Sequence, residues 1–323
     1  MLPDLDQIEA AARIVHSAMP PTPQYCWPLL CQRLGCEVWL KHENHTPVGA
    51  FKLRGGLVYF ANLASHKGLP GAVSATRGNH GQSIALAARR HGLPARIVVP
   101  LGNSVEKNAA MRALGAEVIE HGDDFQTARE YAARLAGELR WHLVPSFHPL
   151  LVAGVASYAL ELLRAVADLA TIYVPIGLGS GICGVVAARD ALRLHTEVVG
   201  VVSAHARAYA ASFAERQVCE APVTSVLADG MACRKPQPEA LEVIWRGVDR
   251  IVEVTDDELA EAMCSIFTAT HNVAEGAGAA ALAAAMQEKP RLSGRRIALV
   301  LSGGNVDREP FANVLSGRPV VDG

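Results

Sequence analysis

The sequence predicts an α/β protein built on mainly parallel sheets covered by helices. Three observations predict it. Short apolar runs alternate with helix-length segments along nearly the whole chain, the rhythm of β–α–β units. Apolar residues make up 50% of the 323 residues and aromatics only 5%, a mix that suits many small-faced helices on a sheet better than an all-β sandwich. Glycine-rich loops recur directly behind strand-like runs. At about 150 residues per domain, the length implies about two domains.

The strand-like runs are 37–40, 72–74, 95–100, 117–119, 171–175, 197–202, 251–254 and 296–301. The helical stretches are 52–64, 79–91, 104–114, 124–139, 153–166, 182–194, 256–270 and 277–286. Ser104, ahead of Glu106 and Lys107, is a good helix start. Thr255 with Glu258 forms a capping box. Residues 169–188 carry no charge and have the length of a membrane span. Pro175 and glycines 177, 179, 181 and 184 interrupt them, so they read as strand, loop and helix, and no membrane partner is expected.

Charge and cysteine usage narrow the function classes. Lys+Arg 30 against Asp+Glu 32 gives a formal net charge of −2, which offers no electrostatic case for nucleic acid or an anionic membrane. The seven cysteines are odd in number, and no basic secretory n-region precedes them. Reduced thiols in a cytoplasm are therefore expected. Cys26, Cys31 and Cys36 recur every five residues, a spacing that fits no zinc pattern, so they read as scattered thiols.

Three loops share one location. Thr76-Arg-Gly-Asn-His-Gly81, Gly177-Leu-Gly-Ser-Gly181 and Ser302-Gly-Gly-Asn305 each follow a strand end. Ligands of open α/β sheets sit outside the carboxyl ends of the strands, so the loops imply one shared site. The 177–181 loop opens a helix; its amides and the helix dipole suit a phosphate, although a tight turn would need the same small residues. Residues 179–184 also fit G-x-G-x-x-G, but the next strand ends at Val202 and Ser203 without the confirming acid. Lys52 stands at a helix start beside Phe51, where the dipole and partial burial would lower its pKa and expose a nucleophilic amine. A surface lysine paired with Glu43 is the plainer alternative. Asn79 either caps its helix or stands among amides that hold a carboxylate. Ser302 either makes a turn or offers a hydroxyl to a ring nitrogen.

In chain order, Lys41-His-Glu43, Gly49-Ala-Phe-Lys-Leu-Arg-Gly55, Gly78-Asn-His-Gly-Gln82, the 177–181 loop, Ala228-Asp-Gly230, Glu275-Gly-Ala-Gly278 and Ser302-Gly-Gly-Asn-Val-Asp307 resemble one family. It is that of the pyridoxal-phosphate enzymes of the tryptophan-synthase-β type (fold type II), in the serine/threonine dehydratase and serine racemase branch. The resemblance implies two three-layer, parallel-sheet α/β domains, the smaller inserted in the larger. The small one would span 69–141 and the large one 1–68 plus 142–323. It implies pyridoxal 5'-phosphate as cofactor and a homodimer. Lys52 would be the Schiff-base lysine that later shuttles the Cα proton, and Phe51 would pack near the ring. Gly177, Leu178, Gly179, Ser180 and Gly181 would hold the phosphate, Asn79 the 3-hydroxyl and Ser302 the pyridine nitrogen. Thr76, Arg77, Gly78, Asn79 and His80 would line the substrate, with Thr76, Gly78, Asn79 and His80 receiving its α-carboxylate. The implied reaction is elimination on a threonine- or serine-like β-hydroxy amino acid, giving a 2-oxo acid and ammonia. Rival readings are an amino-acid racemase, a non-catalytic cofactor-binding relative and, more distantly, a nicotinamide oxidoreductase.

Four departures qualify the resemblance. Arg77 stands where the racemase branch has a serine base, and arginine cannot serve as a base at neutral pH. Little racemase activity is expected. Arg77 either engages an anionic or bulky β-substituent, as in 3-hydroxyaspartate or a β-aryl serine, or turns to solvent or an acid. Ser203 and Tyr209 replace the branch's metal-binding acids, so no activating metal is expected there. The stretch after Pro149 lacks the family's usual polar residues, and Leu178 replaces a common glycine; both bear on the substrate. The sequence ends soon after Asp307, so no C-terminal regulatory domain is expected.

Overall fold

The computed structural model describes residues 2–65 and 68–318; the parts of the expected domain spans at 1, 66–67 and 319–323 lie outside the described residues. The chain opens with Leu5–His16 (α1), Gln24–Cys26 (β1), Pro28–Leu34 (α2), Glu37–His42 (β2) and Lys52–Leu63 (α3). Next come Ala72–Ala75 (β3), Asn79–Arg90 (α4), Ala95–Val99 (β4), Val105–Ala113 (α5), Glu117–Glu120 (β5), Phe125–Leu139 (α6) and His142–Leu143 (β6). Pro149–Ala165 (α7), Thr171–Pro175 (β7), Ser180–Ala191 (α8), Glu197–Ser203 (β8), Ala208–Glu215 (α9), Pro238–Gly247 (α10) and Arg250–Val254 (β9) follow. Asp256–Thr270 (α11), Gly276–Gln287 (α12), Arg296–Leu301 (β10) and Arg308–Leu315 (α13) close it.

Two sheets organise these elements. The six-stranded sheet has the order β1-β2-β10-β7-β8-β9 and the four-stranded sheet β5-β4-β3-β6. Every pairing is parallel except β1 with β2. Alternate residues of one strand feed opposite cores, as the two-residue period requires. In β8, Val198 and Val202 join α7, α8 and α10 on one face, while Val199 and Val201 join α11 and α12 on the other. In the smaller sheet, Val73 and Val98 pack on α6, while Ala72 and Ile97 pack against α3 and α4. Each sheet is thus the middle of three layers. All of the small sheet's residues lie between β2 and β7 in the chain, and both of those strands belong to the larger sheet.

The expected elements are present, with shifted ends. The helix expected from 153 begins at Pro149, because His148 caps it by accepting the Leu150 amide at 3.1 Å and proline sits comfortably in a first turn. The expected boundary at 141/142 cuts into the smaller sheet: His142 and Leu143 pair with Ala72 and Val73. A two-residue strand has too short a pattern to stand out in sequence. Cys26 and Cys31 are not scattered; their sulfurs lie 3.4 Å apart.

A buried charge cluster pins the start of α3. The Arg54 guanidinium is fully buried and donates to Glu43 (2.7 and 3.0 Å), Glu161 (2.6 and 2.9 Å), Ser157 (2.9 Å) and Thr22 (3.0 Å). Lys41, also fully buried, donates to Glu161 at 2.7 Å. Every guanidinium edge is therefore satisfied, and α3, β2 and α7 are locked together two residues beyond Lys52.

Candidate active site

The loops after β3, β7 and β10 converge, as the strand ends predict. They border an outer cleft and a more enclosed chamber, both lined by Lys52, Asn79, Gly177, Leu178 and Gly230. Thr76, Arg77, Gly78 and His80 face the outer cleft. Phe51, Gly179, Ser180, Gly181 and Ser302 face the chamber. Every expected site residue thus borders one of these two spaces, which share part of their lining.

Lys52 is the first residue of α3 and half-buried. Its Nζ lies 4.9 Å from the Phe51 ring centroid. Burial pushes its pKa down to about 8, against the opposing pull of Glu275. The alternative pairing with Glu43 does not form, because Arg54 takes that carboxylate. Across the chamber, Gly177 to Gly181 lead into α8, whose first amides have no intrahelical acceptor. A Cβ on Gly177 would sit 2.2 Å from the Gly230 carbonyl oxygen, so only glycine fits there. Tyr209 braces this loop: its hydroxyl donates to the Leu178 carbonyl at 3.0 Å and accepts the Gln237 amide at 3.1 Å. Ser302 is buried at the end of β10, its Oγ 3.3 Å from the Ala277 carbonyl.

Asn79 does not cap α4; Gly78 holds the N-cap position. Its Nδ2 donates to Glu275 at 2.6 Å, and its Oδ1 accepts from Asn305 at 2.8 Å. The amide is therefore held from both ends, with one N–H left for the chamber. Thr76 Oγ1 accepts the Gly78 amide at 2.9 Å and shapes the turn. His80 is buried with no partner on Nε2. Burial first, then the Lys52 charge, pushes its pKa down to about 3, so the ring is neutral. Its other nitrogen bonds the Pro145 backbone, which has only a carbonyl to offer. That nitrogen carries the proton, and Nε2 is an acceptor. A carboxylate can be received at His80 through the backbone amide but not through Nε2.

Three contributors carry no role in the sequence reading: Lys107, which it passes over, and Asp229 and Glu275, which the resemblance puts only near the cleft. Lys107 is buried, with its Nζ 3.4 Å from Asp229 and 3.6 Å from Glu275. Burial opposes its charge, but the two carboxylates raise its pKa above the ordinary value. Glu275 is buried at the N-cap of α12; burial raises its pKa and Lys107 opposes the rise. Asp229 faces the outer cleft. The signal for Lys107 was present: a cation in a helix's first turn opposes the dipole and asks for a local reason. Ser203 and Tyr209 are both buried and engaged, Ser203 Oγ accepting the His205 amide at 3.1 Å. Among the described residues, no cluster of three or more His, Cys, Asp or Glu side chains is arranged to hold a metal, and no helix is long and apolar enough to cross a membrane.

A half-buried amine with a lowered pKa, lining one chamber with a glycine-lined helix N-terminus at the carboxyl ends of parallel strands, suits an α/β enzyme whose nucleophilic amine works beside a bound anion. Residues 15–303 match the family model described as pyridoxal-phosphate dependent enzyme, and the chain belongs to that family. It is 34% identical over 304 residues to the L-threonine ammonia-lyase of Thermotoga maritima, covering 94% of this chain and 76% of that one. It is 31% identical over 314 residues to the L-threo-3-hydroxyaspartate ammonia-lyase of Saccharomyces cerevisiae, covering 97% and 96%. The structure of maize serine racemase superposes with a TM-score of 0.91 at 26% identity, covering 98% of each chain.

Proposed function

We propose that this chain is a pyridoxal-phosphate-dependent lyase that eliminates water from a β-hydroxy amino acid of the threonine or serine type, releasing a 2-oxo acid and ammonia. One observation carries the reading: the Lys52 amine, with its lowered pKa, faces the glycine loop inside a chain that aligns with an L-threonine ammonia-lyase over 94% of its length. The donor set fits the cofactor. The α8 amides and Ser180 suit its phosphate, the free Asn79 N–H its ring oxygen, the Ser302 hydroxyl its ring nitrogen, and Phe51 its face. When bound, pyridoxal phosphate supplies an electron sink for charge developing at the substrate Cα.

The protein's own groups do the rest. The amides of residues 79 and 80 and the Thr76 hydroxyl hold the α-carboxylate at the positive end of α4, with the Gly78 amide spent on Thr76 Oγ1. Lys52 Nζ, free as the neutral amine near pH 8, takes the Cα proton. A guanidinium at 77 supplies no second base, which argues against racemisation. By the same family resemblance, we propose a cytoplasmic homodimer with a small domain from 69 to about 144 inserted in a larger one.

The test is spectroscopic and chemical. The purified protein should show a visible absorption band that borohydride bleaches and that Lys52→Ala lacks. It should release 2-oxo acid from β-hydroxy amino acids. A protein with no such band would sink the proposal.

A further inference from the structure

The reaction above leaves two cations of the cleft unused. Arg77, on the loop after β3, and Lys107, on α5, both reach toward Asp229 across the cleft, Arg77 Nη1 at 3.9 Å and Lys107 Nζ at 3.4 Å. We propose that Asp229 holds the place of a substrate carboxylate, and that the enzyme selects β-hydroxy amino acids bearing a second carboxylate on Cβ. The inference rests on the lyase reading and names its substrate class.

The Lys107 ammonium is the fixed member of this cluster, while Arg77 and Asp229 are equally exposed, at 41% each. The Lys107 side chain is only 9% exposed. Its stem lies across Gly78 so closely that a Cβ there would meet its Cδ at 2.4 Å. The ammonium is thereby delivered to one place. Arg77 adds a guanidinium with several donors in a fixed fork. Asp229 stands in a short turn, Asp229–Met231, and can rotate outward. Its contacts exceed the ~2.7–2.9 Å of a strong charged hydrogen bond, so leaving them costs little. Glu275 stays behind, bonded to Asn79, and balances only part of the charge.

With Asp229 rotated away, a guanidinium and an ammonium remain to receive one carboxylate. A methyl group or hydrogen on Cβ would offer them nothing, and a cationic substituent would be repelled by both. The chemistry is unchanged: the Cα–H and Cβ–O bonds break, water leaves, and hydrolysis takes one water back as ammonia departs. The product would be a 2-oxo dicarboxylic acid.

The experiment compares kcat/KM for ammonia release from the diastereomers of 3-hydroxyaspartate and from threonine, using the holoenzyme. Calorimetry adds a readout without turnover: binding of L-malate against 2-hydroxybutyrate. We expect 3-hydroxyaspartate to be favoured at least tenfold over threonine, and that ratio to fall at least tenfold in Arg77→Gln. Malate should bind more tightly than 2-hydroxybutyrate and lose that advantage in the same variant. In Asp229→Asn the ratio should hold or rise, because the competing carboxylate is gone. A wild type that favours threonine or a diamino acid, or a ratio that Arg77→Gln leaves alone, overturns the inference and leaves the lyase reading standing. A protein with no visible band and no turnover of any β-hydroxy amino acid overturns both.

Discussion

Replacing Glu161 by glutamine tests how firmly the lysine-bearing helix is held. Glu161 accepts from Arg54 twice, from Lys41 at 2.7 Å, and contacts His16 at 2.8 Å. Burial would raise its pKa, but Arg54, Lys41 and these hydrogen bonds hold it at about 2, against an ordinary 4.5. At about 1.4 kcal/mol per pH unit, that gap is worth roughly 3 kcal/mol. The sign follows from the depressed pKa. The contribution is complete above about pH 4.5 and drains away as pH falls through 2. Glu161→Gln removes the charge and turns an N–H₂ toward donors, so at pH 7 it should lose most of that amount. With an unfolding entropy of about 2.1 cal/mol/K per residue, this corresponds to a fall of about 4 °C in Tm. Thermal unfolding followed by circular dichroism at pH 7 and pH 3 is the assay. The gap between wild type and variant should shrink to less than half at pH 3, since most of the linkage lies between the two pKa values. A shift below 1 °C at pH 7, or a gap that pH does not change, would refute the reasoning.

Three further predictions concern the cleft. In the cofactor-free protein, competitive acylation read by mass spectrometry should titrate Lys52 near pH 8, well below ordinary lysines; a midpoint above 10 would contradict the burial argument. Gly177→Ala drives a methyl group against the Gly230 carbonyl, so cofactor affinity should fall at least tenfold, measured by equilibrium dialysis. Tyr209→Phe leaves the half-buried Gln237 amide and Leu178 carbonyl without their hydroxyl partner, at about 1 kcal/mol. Cofactor release should quicken in that variant, while an undiminished affinity would show that the brace is idle.

What the sequence makes legible here is whatever a local pattern encodes. The β–α rhythm, the loops at strand ends and the exceptional position of Lys52 each depend on neighbours in the chain, and each is found where that reading puts it. What escapes is whatever depends on distant partners. Tyr209 has no local mark of function; it matters because α9 sets its hydroxyl beneath the Leu178 carbonyl, 31 residues away in the chain. Strand β6 exists because Ala72 and Val73 present an open edge, not because two residues have a strand pattern. Arg77 shows the limit most clearly. Its sequence position says only that a guanidinium replaces a small residue. Whether that charge is spent on solvent or on the cleft depends on Asp229, 152 positions on, and on Lys107, whose first-turn position flags it without saying which acids it meets. Once the three are seen together, Arg77 is found turned toward an acid, Asp229, 3.9 Å away at the cleft, and the proposal is that a substrate carboxylate takes that acid's place.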